Sequence, residues 1–168
     1  MSAVIEARAA KSSNRAEPTP FGVGEIALTP AQKRLIRESF VRLEPALDLV
    51  GQLFYLKLYR LDPSFRARFG RDHKALGRKF MAAAKLTVIS LNYEDGLAPT
   101  LKLLGVRQRQ LGMKVRDYRM MSKAWMWTLE RSLEKTLTRQ TKDAWIVLLG
   151  QVTRVLSGSD AALLRSVS

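Results

Sequence analysis

The chain has 168 residues, 46% of them hydrophobic, with a formal net charge of +14 and a pI of about 10.6. That length suits one domain with room for a real core. It contains no cysteine and a single histidine, His73, which excludes disulfides, thiolate ligation of any metal or cofactor, and a multi-histidine metal site.

Residues 1–28 read as a flexible N-terminal tail. Lys11–Gly24 (KSSNRAEPTPFGVG) is rich in Ser, Pro and Gly and has no helical period. Three basic residues (Arg8, Lys11, Arg15) balance three acidic ones (Glu6, Glu17, Glu25) in this tail, so the whole charge of +14 resides in residues 29–168. Thr29-Pro30-Ala31-Gln32 then starts a helix, with Thr as cap, Pro in the first turn and Gln reaching back as in a capping box. Ile36, Phe40 and Leu43 mark its inward face, and Glu44-Pro45 breaks it. A helix over Leu47–Leu61 follows, with Val50, Leu53, Phe54, Leu58 and Leu61 on one apolar face. Asp62-Pro63 stops that helix, Asp as the cap of a new one and Pro in its first turn.

Asp72–Asn92 carries a long helical pattern, with Leu76, Phe80, Ala83, Ala84 and Ile89 near one stripe, and residues 92–96 read as a loop. Pro99–Gln110 is a shorter helix that ends near Gly112. Arg116–Lys135 places Tyr118, Met121, Trp125, Leu129 and Leu133 at helical spacing. Thr138 caps the last long helix, which points Trp145, Leu148, Leu149, Val152 and Leu156 inward, and residues 158–168 form a C-terminal tail. No segment alternates like a strand. The expectation is an all-α single domain over residues 29–157, built from about six to eight helices. No run approaches the ~18–20 apolar residues of a membrane span. The N-terminus interleaves charges with short apolar pieces and does not look like a secretory signal. The chain is therefore expected to have no transmembrane segment and to be cytoplasmic.

Six blocks occur in order: LTPAQ at Leu28–Gln32, GQLFYLKLYRLDPSFRARF at Gly51–Phe69, GRKFM at Gly77–Met81, an LG…R…G…Y spacing from Leu104 to Tyr118, WTLERSL at Trp127–Leu133, and Trp145. Each is weak alone. In this order they resemble the globin family over roughly Leu28–Leu156, in the style of bacterial single-domain globins and the globin part of flavohaemoglobins. The latter continue into a flavin and nicotinamide reductase. This chain stops at Ser168, so no reductase of its own is expected.

The resemblance implies a globin fold and a haem pocket, and it assigns pocket positions. Tyr55 matches a distal tyrosine that donates a hydrogen bond to iron-bound oxygen, and Phe69 matches the corner phenylalanine that packs on the haem face. Leu76 stands where many globins have a distal His or Gln, and Phe80 is bulky where a smaller aliphatic residue is usual. Leu104 and Gln108 belong to the proximal side, and Gln108 occupies the position of the iron-binding histidine. A carboxamide offers a weak carbonyl oxygen and a non-basic nitrogen, and it does not replace an imidazole bond to iron. Two weak candidates for iron remain: Tyr55 as a phenolate, and His73, which reads more simply as an ordinary surface histidine. The expected cofactor is none, or weakly bound haem.

Two segments concentrate the charge. Lys57–Lys79 holds eight basic residues against two acidic ones, and Lys102–Arg119 holds six against one. In a globin fold both approach the pocket mouth, where haem propionates need only one or two cations. The excess either meets an anionic partner (nucleic acid, acidic protein or membrane surface) or is a solvated basic surface. The expected function is a haem-independent or haem-poor binding and regulatory module, sensor-like and not an enzyme, since one His, no Cys and no evident paired acidic motif leave few catalytic groups. The alternative is a haem globin for oxygen or nitric oxide, with Tyr55 distal and unusual axial ligation.

Overall fold

The structure is a computed structural model that describes residues 28–93, 101 and 112–158. Helix α1 spans Pro30–Leu43 and starts at the capping box read from the sequence. Gln32 N–H donates to Thr29 Oγ1 at 3.1 Å, and Thr29 N–H donates to Gln32 Oε1 at 3.0 Å. Pro45 turns the chain through a 3-10 turn, Glu44–Ala46, into α2, Leu47–Leu61.

The Asp62-Pro63 pair ends α2 as expected, but the short α3, Ser64–Phe69, begins one residue beyond Pro63. The Asp62 carboxylate still accepts the Ser64 N–H, at 3.0 Å. Gly70, with φ of 94°, takes a backbone shape that side chains disfavour and turns the chain toward α4, His73–Ser90. Asp72 caps α4 by accepting the Ala75 N–H at 3.0 Å.

Helix α5 spans Val115–Leu133 and ends at its last apolar position, two residues before the expected Lys135, because Glu134 adopts φ of 47° and a 3-10 turn follows over Glu134–Thr136. Thr138 caps α6, Arg139–Ser157, and Gly158 closes it in the left-handed region. Leu101 is helical and buried. Leu28, expected as the end of the tail, is buried in the core; the expected tails before it and after Gly158, the expected loop beyond Tyr93 and the rest of the expected Pro99–Gln110 helix lie outside the described residues. Among the described residues there is no strand, and no helix is long and apolar enough to cross a membrane.

The helices pack in layers. Helix α2 crosses α4 and also lies against α5, while α1 lies against α6. The α2–α4 crossing has glycine on both sides. A Cβ on Gly51 would lie 2.7 Å from the Gly77 carbonyl oxygen, and one on Gly77 would lie 2.9 Å from the Gly51 carbonyl carbon. That approach rotates α4 relative to the stripe read from the sequence. Gly77, Met81 and Val88 form its buried line, Leu76, Phe80 and Ala84 are half-buried at its edge, and Ala83 and Ile89 are exposed. At the other side of the core, the Trp145 indole N–H donates to Ser39 Oγ at 2.9 Å, and that hydroxyl donates to the Ile36 carbonyl at 2.8 Å. This chain satisfies a buried indole and ties α6 to α1.

Candidate functional site

Helix α2 is covered on two sides, so its Phe54, Tyr55, Leu58 and Tyr59 are all buried. Phe80 reaches in from α4 and stacks on Phe54, with ring centroids 3.9 Å apart and planes 7° apart. Trp125 of α5 meets the Phe80 ring at 5.5 Å, and Trp145 of α6 meets Trp125 at 5.6 Å. The result is one aromatic cluster through the centre of the fold. Tyr55 stands at its edge, 6.2 Å from Phe80 and 6.4 Å from Phe69 between ring centroids. Three of the residues expected at the pocket, Tyr55, Phe69 and Phe80, are therefore together. Leu76 is half-buried against the same core. Leu104 and Gln108 lie outside the described residues.

Burial pushes the Tyr55 hydroxyl up to about 12, with a smaller contribution from Tyr59. The group is thus a neutral donor at ordinary pH. Beside the cluster lies an apolar cavity of about 150 Å³, bounded by Phe80, Leu101, Tyr118, Met121, Trp125 and Leu148 among others.

His73 is not the surface histidine that the sequence implied. It opens α4 half-buried, with its ring 5.2 Å from Tyr59 and a buried Nε2 without a hydrogen-bond partner. The reason is the corner before it: the Tyr59 hydroxyl donates to the Gly70 carbonyl at 2.9 Å, which folds the start of α4 down onto α2. Tyr59 contacts both His73 and Tyr55, at 5.2 and 5.9 Å between centroids. Among the described residues, no group of three or more His, Cys, Asp or Glu side chains is placed to hold a metal ion.

The basic segments meet where they are described. Arg68 of α3 binds Asp117 of α5 through both guanidinium nitrogens, at 2.9 and 3.0 Å, and Asp117 also accepts the Lys114 N–H at 2.9 Å. The hydrogen-bonded Arg68 guanidinium holds the Asp117 carboxyl below the usual carboxylate range, against the opposing effect of burial. Sequence reading counted Arg68 as surplus charge; the structure spends it on this pair. The available signal was Asp117 itself, the sole acid of Lys102–Arg119, placed three residues after Lys114 at a helix start. Arg60, Arg66, Arg71, Lys74, Arg78, Lys79, Arg116 and Arg119 are exposed and form no ion pair among the described residues.

A sequence model of the globin family matches residues 54–156. The chain is also 22% identical over 139 residues to flavohemoproteins of Bordetella parapertussis and Bordetella bronchiseptica. Those alignments cover 81% of this chain and 35% of each relative, so the chain spans about a third of the length of the curated relatives it matches.

Proposed function

The chain belongs to the globin family, and from that premise we propose that it is a haem-poor binding and regulatory module, sensor-like and not itself an enzyme. The observation that carries this reading is the Phe80 ring stacked on Phe54 at 3.9 Å. A haem needs a flat slot between the helices. Here two phenyl rings are in contact, and the cavity beside them is about 150 Å³, below the roughly 300–1,000 Å³ usual for ligand pockets. The residues present fit haem poorly, so the group is given no role in the module's action. Gln108, at the position matched to the iron-binding histidine, supports the same reading, because a carboxamide makes no strong bond to iron.

The exposed cations of α2–α4 and the start of α5 are, in this reading, the docking edge for an anionic macromolecule. Their number, and the absence of ion pairs to them among the described residues, support it.

An absorption spectrum of protein purified from haem-replete cells tests the reading. It should be folded and mostly colourless, and Gln108→His with Phe80→Val should raise haem retention. About one haem per unmodified chain, with a stable axial ligand, would overturn it. One observation favours the second reading, a haem globin for oxygen or nitric oxide: the neutral Tyr55 hydroxyl is a hydrogen-bond donor beside Phe69 and Phe80. A spectrum that responds to either gas, and loses that response in Tyr55→Phe, would establish it instead.

A further inference from the structure

We propose that the anionic partner of the basic edge is a membrane surface rich in acidic phospholipid, met by the outer face of α4. This rests on the reading of the exposed cations as a docking edge, and it accounts for the apolar side chains that stand among them. Leu86, Ile89 and Tyr93 are 51%, 44% and 66% exposed. Ala82, Leu86 and Ile89 recur at i, i+4 and i+7, so they share one side of α4, and Tyr93 follows just beyond its end. Lys79 stands seven residues before Leu86 on the same side, with Lys74 and Arg78 beside it, all exposed. The helix, His73–Ser90, contains no Asp or Glu. None of these three cations forms an ion pair among the described residues. Lys85, the remaining cation of α4, is turned aside to Glu44, with Nζ 3.6 Å from Oε1.

The apolar patch widens onto α1. Arg37 of α1 donates to Asn92 Oδ1 after α4, and Glu44 pairs with Lys85. These two contacts bracket Val41 on one side and Ile89 on the other, and Val41 is 59% exposed. Two acids lie three residues from Val41. Glu44 is in the pair with Lys85, and Glu38 is exposed, so the patch ends at α1.

A nucleic acid would use the cations and leave Leu86, Ile89, Tyr93 and Val41 in water. A second copy of the chain would cover those residues but bring Lys74, Arg78 and Lys79 against their own copies. A bilayer surface takes both kinds of group. Acidic headgroups attract the cations, whose long stems let their charged ends stay at the headgroups. The apolar side chains enter the boundary below, and the tyrosine ring suits the headgroup level. Side chains that project this far fit a deformable phase better than a rigid partner. No described helix is long and apolar enough to cross a membrane, so the contact is with the surface.

The test mixes the full chain with vesicles of phosphatidylglycerol and phosphatidylcholine, and with vesicles of phosphatidylcholine alone. The chain has no cysteine, so Ala82→Cys and, on the far helix, Gln140→Cys each take one environment-sensitive nitrobenzoxadiazole label. The acidic vesicles should bind the chain and brighten the label at position 82 but not at position 140. Leu86→Gln with Ile89→Gln changes only exposed positions and should leave the melting temperature near that of the parent. It should weaken vesicle binding about tenfold or more and leave the affinity for a DNA duplex unchanged. The lipid assignment is overturned by no vesicle binding, by equal binding to the neutral vesicles, by a label at position 82 that stays dark, or by unchanged vesicle affinity in the double Gln variant. It is also overturned if sedimentation shows a dimer that this variant dissociates, since the patch would then be a self-association surface. If the vesicles fail while the duplex binds and Arg78→Glu with Lys79→Glu weakens it, the docking edge stands without the lipid. If neither binds, the docking-edge reading falls as well.

Discussion

Burial at Tyr55 and pairing at Asp117 turn two side chains into sensors of the fold. The Tyr55 hydroxyl is raised from 10.0 to about 12. The folded chain therefore keeps this proton after the unfolded chain has lost it. Stability from this group is complete below pH 10 and falls as pH rises from about 10 to 12, by about 2–3 kcal/mol in all. Denaturation measured across that window should show the fall, and Tyr55→Phe should reduce it, leaving the part from Tyr59, whose hydroxyl burial also raises. In an absorbance titration, one tyrosine should ionise only near pH 12 or on unfolding. Asp117 has the opposite sign. Its carboxyl is lowered, so its contribution is present above about pH 4 and is lost as pH drops through the folded value. Asp117→Asn should cost about 1–2 kcal/mol at neutral pH, the lower part of the range for charged hydrogen bonds because the Arg68 side chain is 32% exposed. The variant should also lose less stability than the parent on acidification.

Each element is specified at its ends by local chemistry and at its faces by its neighbours. Thr29, Asp72 and Thr138 cap three helices through side-chain oxygens that accept N–H groups of the first turn. These are local contacts, three residues apart in sequence; Thr29 and Thr138 were read as caps, whereas Asp72 was read as the first residue of its helix. The register of α4 was not, because the Gly51–Gly77 crossing decides which of two adjacent lines is buried. Gly77→Ala should therefore destabilise the fold by about 1–3 kcal/mol, since backbone atoms must move apart. Gly150→Ala, where nothing crowds the new methyl, should stabilise it by about 0.5–1 kcal/mol. Chemical denaturation of the two variants compares a glycine required by packing with one that packing does not require. Equal shifts of the same sign would contradict the close crossing.

Over the whole molecule, the arrangement of charge decides what the surface meets. The Arg68–Asp117 pair brings the two basic segments against each other and leaves the exposed cations around them unpaired among the described residues. Binding of a nucleic acid to this edge should weaken steeply with added salt as counterions are released. Arg66→Glu, Arg71→Glu, Arg116→Glu and Lys74→Glu together should weaken it far more than four reversals on α6 and the turn before it. Equal effects in a salt-dependent binding assay would leave only diffuse charge attraction.

By itself the sequence determined the described helices, most of their ends, the inward residues of α1, α5 and α6, and the family. Those features rest on contacts within a turn or two, or on a 3.6-residue period that shows in any one segment. Only the tertiary structure decided the rotation of α4, the stacking of Phe80 on Phe54, the half-burial of His73 against Tyr59 and the pairing of Arg68 with Asp117. The two partners in the Arg68 pair are 49 residues apart, and those in the Phe80 stack come from different helices. Such contacts depend on how closely α2 can approach α4 and α5. That distance is set by side chains from several helices at once, so no single stretch of sequence contains it.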